Sequence, residues 1–180
     1  PDLARRNLDF FFDKQHEDGL MQNFVGYMLE TGAALWCAGE HFRYTRDKQW
    51  LNRIKSKVVK SADFLVKWRH ENLRKELRGK GYGLLPGRVA DPLDEQRHFM
   101  LNGYACLGLS RVSEMLAEID PDASKKYAGE TERFKADIRA AFFTELERGP
   151  AIPVGDGTWC PTAGAWVGAD GVGGLILDKE

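Results

Sequence analysis

Apolar residues recur along the chain with the 3.6-residue period of α-helices, and this pattern predicts five helices. Three of them carry an apolar stripe on one side and charged residues on the other, which is typical of helices that face water. The other two are apolar on nearly all sides, which is typical of buried helices. The predicted amphipathic helices span residues 2–16, 46–76 and 121–147, and the predicted buried helices span residues 24–43 and 97–119.

The two kinds of helix alternate along the chain. A chain that alternates water-facing and buried helices predicts an all-α fold of antiparallel helical hairpins in two layers. Helix-start signals support two of the boundaries: Thr45 is a candidate cap for the third helix, and Asp120 followed by Pro121 is a candidate cap for the fifth. Few segments show the two-residue alternation of β-strands.

The lengths of the connections predict where a functional site lies. Because successive helices are antiparallel, alternate connections fall at opposite ends of the molecule. The connections at one end are short, over residues 43–46 and 119–122, whereas those at the other end are long, over residues 16–23, 78–96 and 148–166. Long loops on one face of a rigid scaffold commonly carry binding and catalysis, so we expect the site there.

Composition excludes several classes of protein. The 26 Lys and Arg residues nearly balance the 27 Asp and Glu residues, so the chain as a whole does not attract nucleic acid or acidic membranes. No apolar stretch is long enough for a membrane span, no signal peptide is recognisable, and the cellular compartment cannot be inferred. Neither a metal-binding motif nor a nucleotide motif is present, and Cys37 and Cys106 are expected to be small buried residues.

Charge is unevenly distributed despite this balance. Residues 43–80 hold 13 Lys or Arg and four Asp or Glu, a net charge of +9. The apolar stripe of the third predicted helix favours a solvated outer face for these lysines. Binding to an acidic protein partner or to nucleic acid is the alternative, and the lack of interleaved aromatic residues disfavours nucleic acid.

Four segments carry a resemblance to a known group of proteins. They are Tyr44 to Leu51 (YTRDKQWL), Ser61 to Leu65 (SADFL), Gly81 to Gly87 (GYGLLPG) and Asn102 to Leu109 (NGYACLGL). Over residues 25–120 the chain resembles the six-hairpin glycosidase superfamily. The resemblance is a general sequence pattern rather than a strict motif, and some polysaccharide lyases share it. The resemblance implies an (α/α)6 toroid that holds sugar at the N-terminal ends of its inner helices.

A complete toroid has twelve helices, so the five predicted helices imply a partial toroid. We expect residues 1–166 to form this helical-hairpin domain and the Gly-rich residues 167–180 to be a tail or the start of a missing remainder. The apolar inner helices would then be covered by the remainder of the toroid or by self-association. In the superfamily the second catalytic carboxylate commonly lies in the second half of the ring, so a complete catalytic pair is not expected in this chain.

Carboxylates in the long connections are the candidate catalytic residues, because glycoside hydrolysis uses one protonated and one ionised carboxyl group. Asp156 is the first candidate for the general acid, and Asp94 and Glu95 are further candidates. Each has a structural alternative: Asp94 and Glu95 could cap the next helix, and Asp156 with Gly157 could form a tight turn with Trp159 packed beneath it.

Polar and aromatic residues of the same connections are candidates for holding the sugar. Arg88 and Arg97 could equally pair with the carboxylates and lower their pKa values, and His98 is expected to be a cleft or capping residue rather than a catalyst. The candidate substrate-binding residues are Gln22, Asn23, Arg88, Asp91, Arg97, His98 and Trp159.

The sequence therefore predicts part of a carbohydrate-active enzyme, a glycoside hydrolase that uses two carboxylates and neither a cofactor nor a metal. The expected partner is a carbohydrate, with no nucleic acid and no membrane. The alternative is a non-catalytic helical module that binds carbohydrate or protein.

Overall fold

The computed structural model describes residues 2–89, 96–153 and 155–161, and it confirms the all-helical character predicted for the body of the chain. Within these ranges, five α-helices are followed by one short antiparallel β-hairpin that the hydropathy pattern did not predict. The elements are α1 (Asp2–Asp13), α2 (Glu30–Thr45), α3 (Lys48–Glu71), a 3-10 turn (Lys75–Leu77), α4 (Phe99–Leu116), α5 (Pro121–Arg148), β1 (Ala151–Pro153) and β2 (Trp159–Pro161).

Two helix boundaries differ from the prediction by five residues or more, and the others differ by three or fewer. Helix α2 begins at Glu30 rather than at residue 24, because the chain turns at Gly26, whose φ of +94° is not helical. Helix α3 ends at Glu71 rather than at residue 76, because Asn72 closes it by donating its backbone N–H to the carbonyl of Arg69. Both changes lengthen the connections at the same end of the molecule.

Side-chain caps start the two longest helices. The carboxylate of Asp47 accepts a hydrogen bond from the backbone N–H of Trp50 at 2.9 Å, so Asp47 caps α3 and the prediction of Thr45 was wrong. Thr45 instead donates its hydroxyl to the carbonyl of His41 within α2. The predicted cap of α5 is confirmed, since Asp120 accepts from the backbone N–H of Ala123 at 3.1 Å.

Helices α2 and α4 form an inner layer and lie in close contact along their lengths. A Cβ added at Gly32 would lie 2.6 Å from the backbone nitrogen of Ala105, and one added at Gly108 would lie 2.7 Å from the carbonyl oxygen of Gly32. Only glycine allows the two backbones to approach this closely. The two helices are the most apolar of the fold, yet no helix among the described residues is both long and apolar enough to cross a membrane.

Helices α1, α3 and α5 form an outer layer held partly by polar contacts. Asp9 of α1 accepts a hydrogen bond at 2.8 Å from the indole nitrogen of Trp50 in α3. Further along, Tyr127 of α5 donates its hydroxyl to Asp63 of α3 at 2.8 Å. Residue numbers rise together on all three helices, so the outer helices run parallel to each other and antiparallel to the inner pair, as predicted for hairpins in two layers.

A buried charged cluster links the loop end of α3 to α5. Arg69 is 2% exposed and pairs with Glu130 and Asp137 of α5. Burial by itself raises the pKa of Glu130, but hydrogen bonds from Arg133 and His70 outweigh it and hold that pKa below its ordinary value. Buried ion pairs add little net stability, so we assign the cluster a role in fixing how α3 and α5 are aligned.

The core lies between the layers and contains the predicted apolar stripe of α3. Cys106 is 3% exposed, which confirms its predicted burial, and burial raises the pKa of its thiol to about 12. The prediction for Cys37 was wrong, since this residue is exposed and lines an open apolar groove of about 540 Å³ between α1 and α2. The buried stripe residues of α3 are Trp50, Leu51, Ile54, Val58, Ala62 and Leu65.

The inner-layer contact predicts the effect of two glycine substitutions. Gly32→Ala is expected to lower the free energy of unfolding by about 1–3 kcal/mol, because the methyl group meets the backbone of α4. Gly129→Ala is the control, because its methyl group would meet only the flexible end of Arg133 at 3.5 Å. Because alanine forms helices better than glycine, Gly129→Ala should raise the free energy of unfolding by about 0.5–1 kcal/mol. Chemical denaturation measures both, and equal effects would contradict the packing described.

Candidate functional site

The long connections lie at one end of the molecule, beside the N-termini of α2 and α4. The backbone N–H of Met28 in the first connection donates to the carbonyl of Arg88 in the second at 3.0 Å. Arg148, at the end of α5, donates to the carbonyl of Gly79 in the second connection at 2.9 Å. The first two connections therefore touch, and the second also touches the start of the third.

A buried polar side chain near the start of each inner helix anchors the connection that precedes it. In α2, the hydroxyl of Thr31 accepts from the backbone N–H of Met21 at 2.9 Å and donates to its carbonyl at 3.1 Å. In α4, the amide of Asn102 does the same for Leu85, at 2.7 and 3.1 Å. Both side chains are fully buried. Their signal in the sequence is a polar residue directly before a glycine in an apolar helix.

Gln22 and Asn23, predicted to bind substrate, both contribute to the internal structure of the first connection. Gln22 donates its side-chain amide to the carbonyl of Tyr27 at 2.8 Å. Asn23 donates its backbone N–H to the carboxylate of Glu30 at 2.5 Å, and its side chain is exposed. The side-chain amide of Gln22 therefore stabilises the first connection, whereas Asn23 is exposed to solvent.

An exposed aromatic group lies at the same end and was missed from the sequence. Phe24 is 64% exposed, and its ring meets that of Tyr27 edge to face at 6.3 Å between centroids. The guanidinium of Arg88 lies against the turn between these rings, since a Cβ at Gly26 would be 3.4 Å from Arg88 Nη1. The hydropathy pattern assigned Phe24 to a buried helix because apolar residues flank it.

Arg97 shapes the second connection from within. Its Nη1 donates to the side-chain oxygen of Asn72 at 3.0 Å and to the carbonyl of Leu84 at 2.5 Å. Burial lowers the pKa of Arg97, and the nearby charge of Arg74 lowers it further. His98 occupies the N-cap position of α4 but makes no side-chain capping bond, so of its two predicted roles the capping role is wrong and the cleft role stays a prediction.

Asp156 lies in the loop of the β-hairpin, where it forms a turn. Its carboxylate accepts from the backbone N–H of Thr158 at 2.8 Å and from its hydroxyl at 2.6 Å, between Gly155 and Gly157, both of which have positive φ. These bonds hold the pKa of Asp156 below its ordinary value, whereas a general acid needs a raised one. Trp159 is 68% exposed rather than packed beneath the turn.

The remaining predicted site residues, Asp91, Asp94 and Glu95, lie outside the described residues, as do residues 167–180. Within the described ranges, no group of three His, Cys, Asp or Glu side chains is placed to hold a metal ion.

A second hollow, of about 330 Å³, lies between the first connection and the outer side of α3. The ring centroids of Phe64 and Trp68 in its lining are 5.8 Å apart, and Asp18 and Glu71 supply carboxylates to the same lining. The loop end therefore offers aromatic and polar groups on both the inner and the outer side of the fold.

The anchor in α4 gives a prediction about stability. Asn102→Ala is expected to lower the free energy of unfolding by about 2–4 kcal/mol, because it leaves both backbone groups of buried Leu85 without a partner. Asn52→Ala is the control, since Asn52 is exposed and donates only within its own helix. Denaturation and hydrogen exchange of the Leu85 amide measure the difference. An effect no larger than that of the control would contradict the anchoring role.

No protein-family model, curated protein or solved structure matches this chain. Its function is therefore inferred from the geometry of its own residues.

Proposed function

We propose that this chain is part of a carbohydrate-active enzyme of the six-hairpin glycosidase type. Sugar binds at the loop end, over the N-termini of α2 and α4. In this proposal the five helices are part of an (α/α)6 toroid, with the inner pair facing its axis.

The observation that carries the proposal is the contact between the first and second connections at the starts of both inner helices. This contact joins Met28 to Arg88 and brings the exposed ring of Phe24 and the half-buried ring of Tyr27 beside a guanidinium group. Apolar faces of sugar rings pack on aromatic rings, and sugar hydroxyls accept hydrogen bonds from Arg and donate to carbonyls. Phe24 and Tyr27 with Arg88 offer this combination within one small area.

The proposed reaction is hydrolysis of a glycosidic bond by two carboxylates. Asp94 and Glu95 in the second connection are the candidates for the carboxylate that this chain contributes, because that connection reaches the aromatic pair through Arg88. Asp156 fits the role of general acid less well, since its turn favours the ionised form.

The alternative is a helical module that binds carbohydrate without cleaving it. The described residues favour this alternative in one respect: the carboxylates of Glu30 and Asp156 accept hydrogen bonds within their own loops. Binding and turnover therefore need separate tests.

The binding half of the proposal predicts that Phe24→Ala weakens the affinity for oligosaccharides about five-fold, the effect of losing about 1 kcal/mol of ring stacking. Tyr44→Ala is the matched control, because Tyr44 is 88% exposed at the opposite end of α2. Calorimetric titration across a panel of neutral and acidic oligosaccharides measures both. No binding by the unmodified protein, or an equal loss in both variants, would contradict a sugar site at the loop end.

The catalytic half predicts that Asp94→Asn and Glu95→Gln each lower the release of reducing sugar about 100-fold or more while binding persists. Asp156→Asn is the control, because an asparagine oxygen can still accept both bonds of the turn. Turnover that survives in both loop variants would refute their catalytic role. Binding by an unmodified protein that releases no reducing sugar would instead favour the non-catalytic module over a hydrolase whose catalytic pair is complete within this chain.

A further inference from the structure

The basic residues of α3 differ in what they contact. In the first half of the helix they pair with acidic residues of α1 and of the connection between α4 and α5, and are neutralised there. These pairs are Arg53 with Asp9, Lys57 with Asp13, Lys48 with Glu118 and Lys55 with Asp120, at 2.7–2.8 Å. The predicted basic surface of α3 is therefore largely used to hold the helices together.

The segment that follows α3 is different. Residues 72–80 contain four basic residues and one acidic residue, Glu76, a net charge of +3. The basic side chains are exposed, and among the described residues none of them has a carboxylate within 4.0 Å. They are Arg74, Lys75, Arg78 and Lys80.

Structure within the segment holds these charges together. Residues 75–77 form a 3-10 turn, Arg148 is hydrogen-bonded to the carbonyl of Gly79, and the guanidinium of Arg78 lies 4.7 Å from the ring centre of Tyr82. On the inner side, the bonds of Arg97 to described residues go to neutral oxygens, of Asn72 and Leu84. The charge of Arg74 acts on Arg97 and lowers its pKa, and a bound anion would offset this repulsion between like charges.

We propose that this basic segment, residues 72–80 with Arg97, binds the carboxylate or sulfate groups of an acidic glycan. The inference rests on the proposed function, because the segment belongs to the same connection that reaches the aromatic pair. A guanidinium group pairs with carboxylate and sulfate in the same two-point geometry, so the segment would recognise either anionic group.

The small extent of the segment favours a glycan over nucleic acid. A nucleic-acid strand carries a charge at every residue and is normally met by an extended basic surface. Here ion pairs neutralise the first half of α3 as far as Lys57, and Arg69 near its end is buried against Glu130 and Asp137. The basic segment itself spans nine residues, 72–80, at the end of the molecule where the sugar is proposed to bind.

The test measures affinity for short oligogalacturonate, hyaluronan and chondroitin sulfate oligosaccharides, with methyl-esterified oligogalacturonate as the neutral counterpart and oligothymidylate as the nucleic acid. The charge-removal variant combines Arg74→Gln, Lys75→Gln and Lys80→Gln. Its matched control combines Arg6→Gln, Lys60→Gln and Lys125→Gln, which removes the same charge from exposed positions elsewhere. Melting temperatures check that both variants fold.

At least one acidic oligosaccharide is expected to bind more tightly than the neutral one, with an affinity that falls as salt rises. The charge-removal variant should weaken this binding about ten-fold, and the control variant much less. Equal loss in both variants would overturn the inference, as would stronger binding of oligothymidylate than of any glycan.

The outcomes separate this inference from the proposed function. If the neutral oligosaccharide binds as tightly as the acidic ones, the sugar site stands and the acidic preference is refuted. If no oligosaccharide binds the unmodified protein, both proposals fall.

Discussion

The structure depends on the close contact between the two inner helices. Gly32 and Gly108 bring the backbones of α2 and α4 together along a shared line, and a side chain at either position would force them apart. With the inner pair fixed in parallel, each outer helix must return antiparallel to it. The long connections then fall at the same end because of chain direction alone, whatever residues they contain.

Polar contacts determine how the connections are arranged at that end. The side chains of Thr31 and Asn102 each form hydrogen bonds with both the backbone N–H and the backbone carbonyl of one residue in the preceding loop. Arg69 and its acidic partners align the end of α3 with α5. Arg69 lies three residues before Asn72, where the basic segment begins. The loop end is thus built on a rigid base, which is what a binding surface on loops requires.

The sequence predicted the helices well because the 3.6-residue period reports burial directly. Trp50 and Ile54 are buried as their spacing predicted, and the alternation of water-facing and buried helices matches the two layers. The prediction failed where local bonding outweighs hydropathy. Phe24 looked like part of a buried helix because a turn at Gly26 has no hydropathy signal, and Cys37 looked buried because the pattern cannot show which side of α2 faces the open groove.

The candidate site was harder to predict for a similar reason. Residue type suggested that Gln22 and Arg97 bind ligand, but their hydrogen bonds are made within the loops. Asp156 was chosen for its position, and the bonds from Thr158 confirm the alternative, a tight turn at Asp156 and Gly157. The exposure of Phe24 beside the half-buried Tyr27 and the contrast between neutralised and unneutralised basic residues depend on tertiary contacts that spacing does not encode.

The central claim is that the loop end is the ligand-binding surface. Backbone amide shifts in a nuclear magnetic resonance titration with the tightest-binding oligosaccharide test it most directly, because they report every part of the fold at once. The account predicts that the largest shifts fall within residues 14–29 and 72–89 and at Arg97 and His98. Shifts confined to residues 46–47 and 117–120 at the opposite end, or to the groove between α1 and α2, would contradict it.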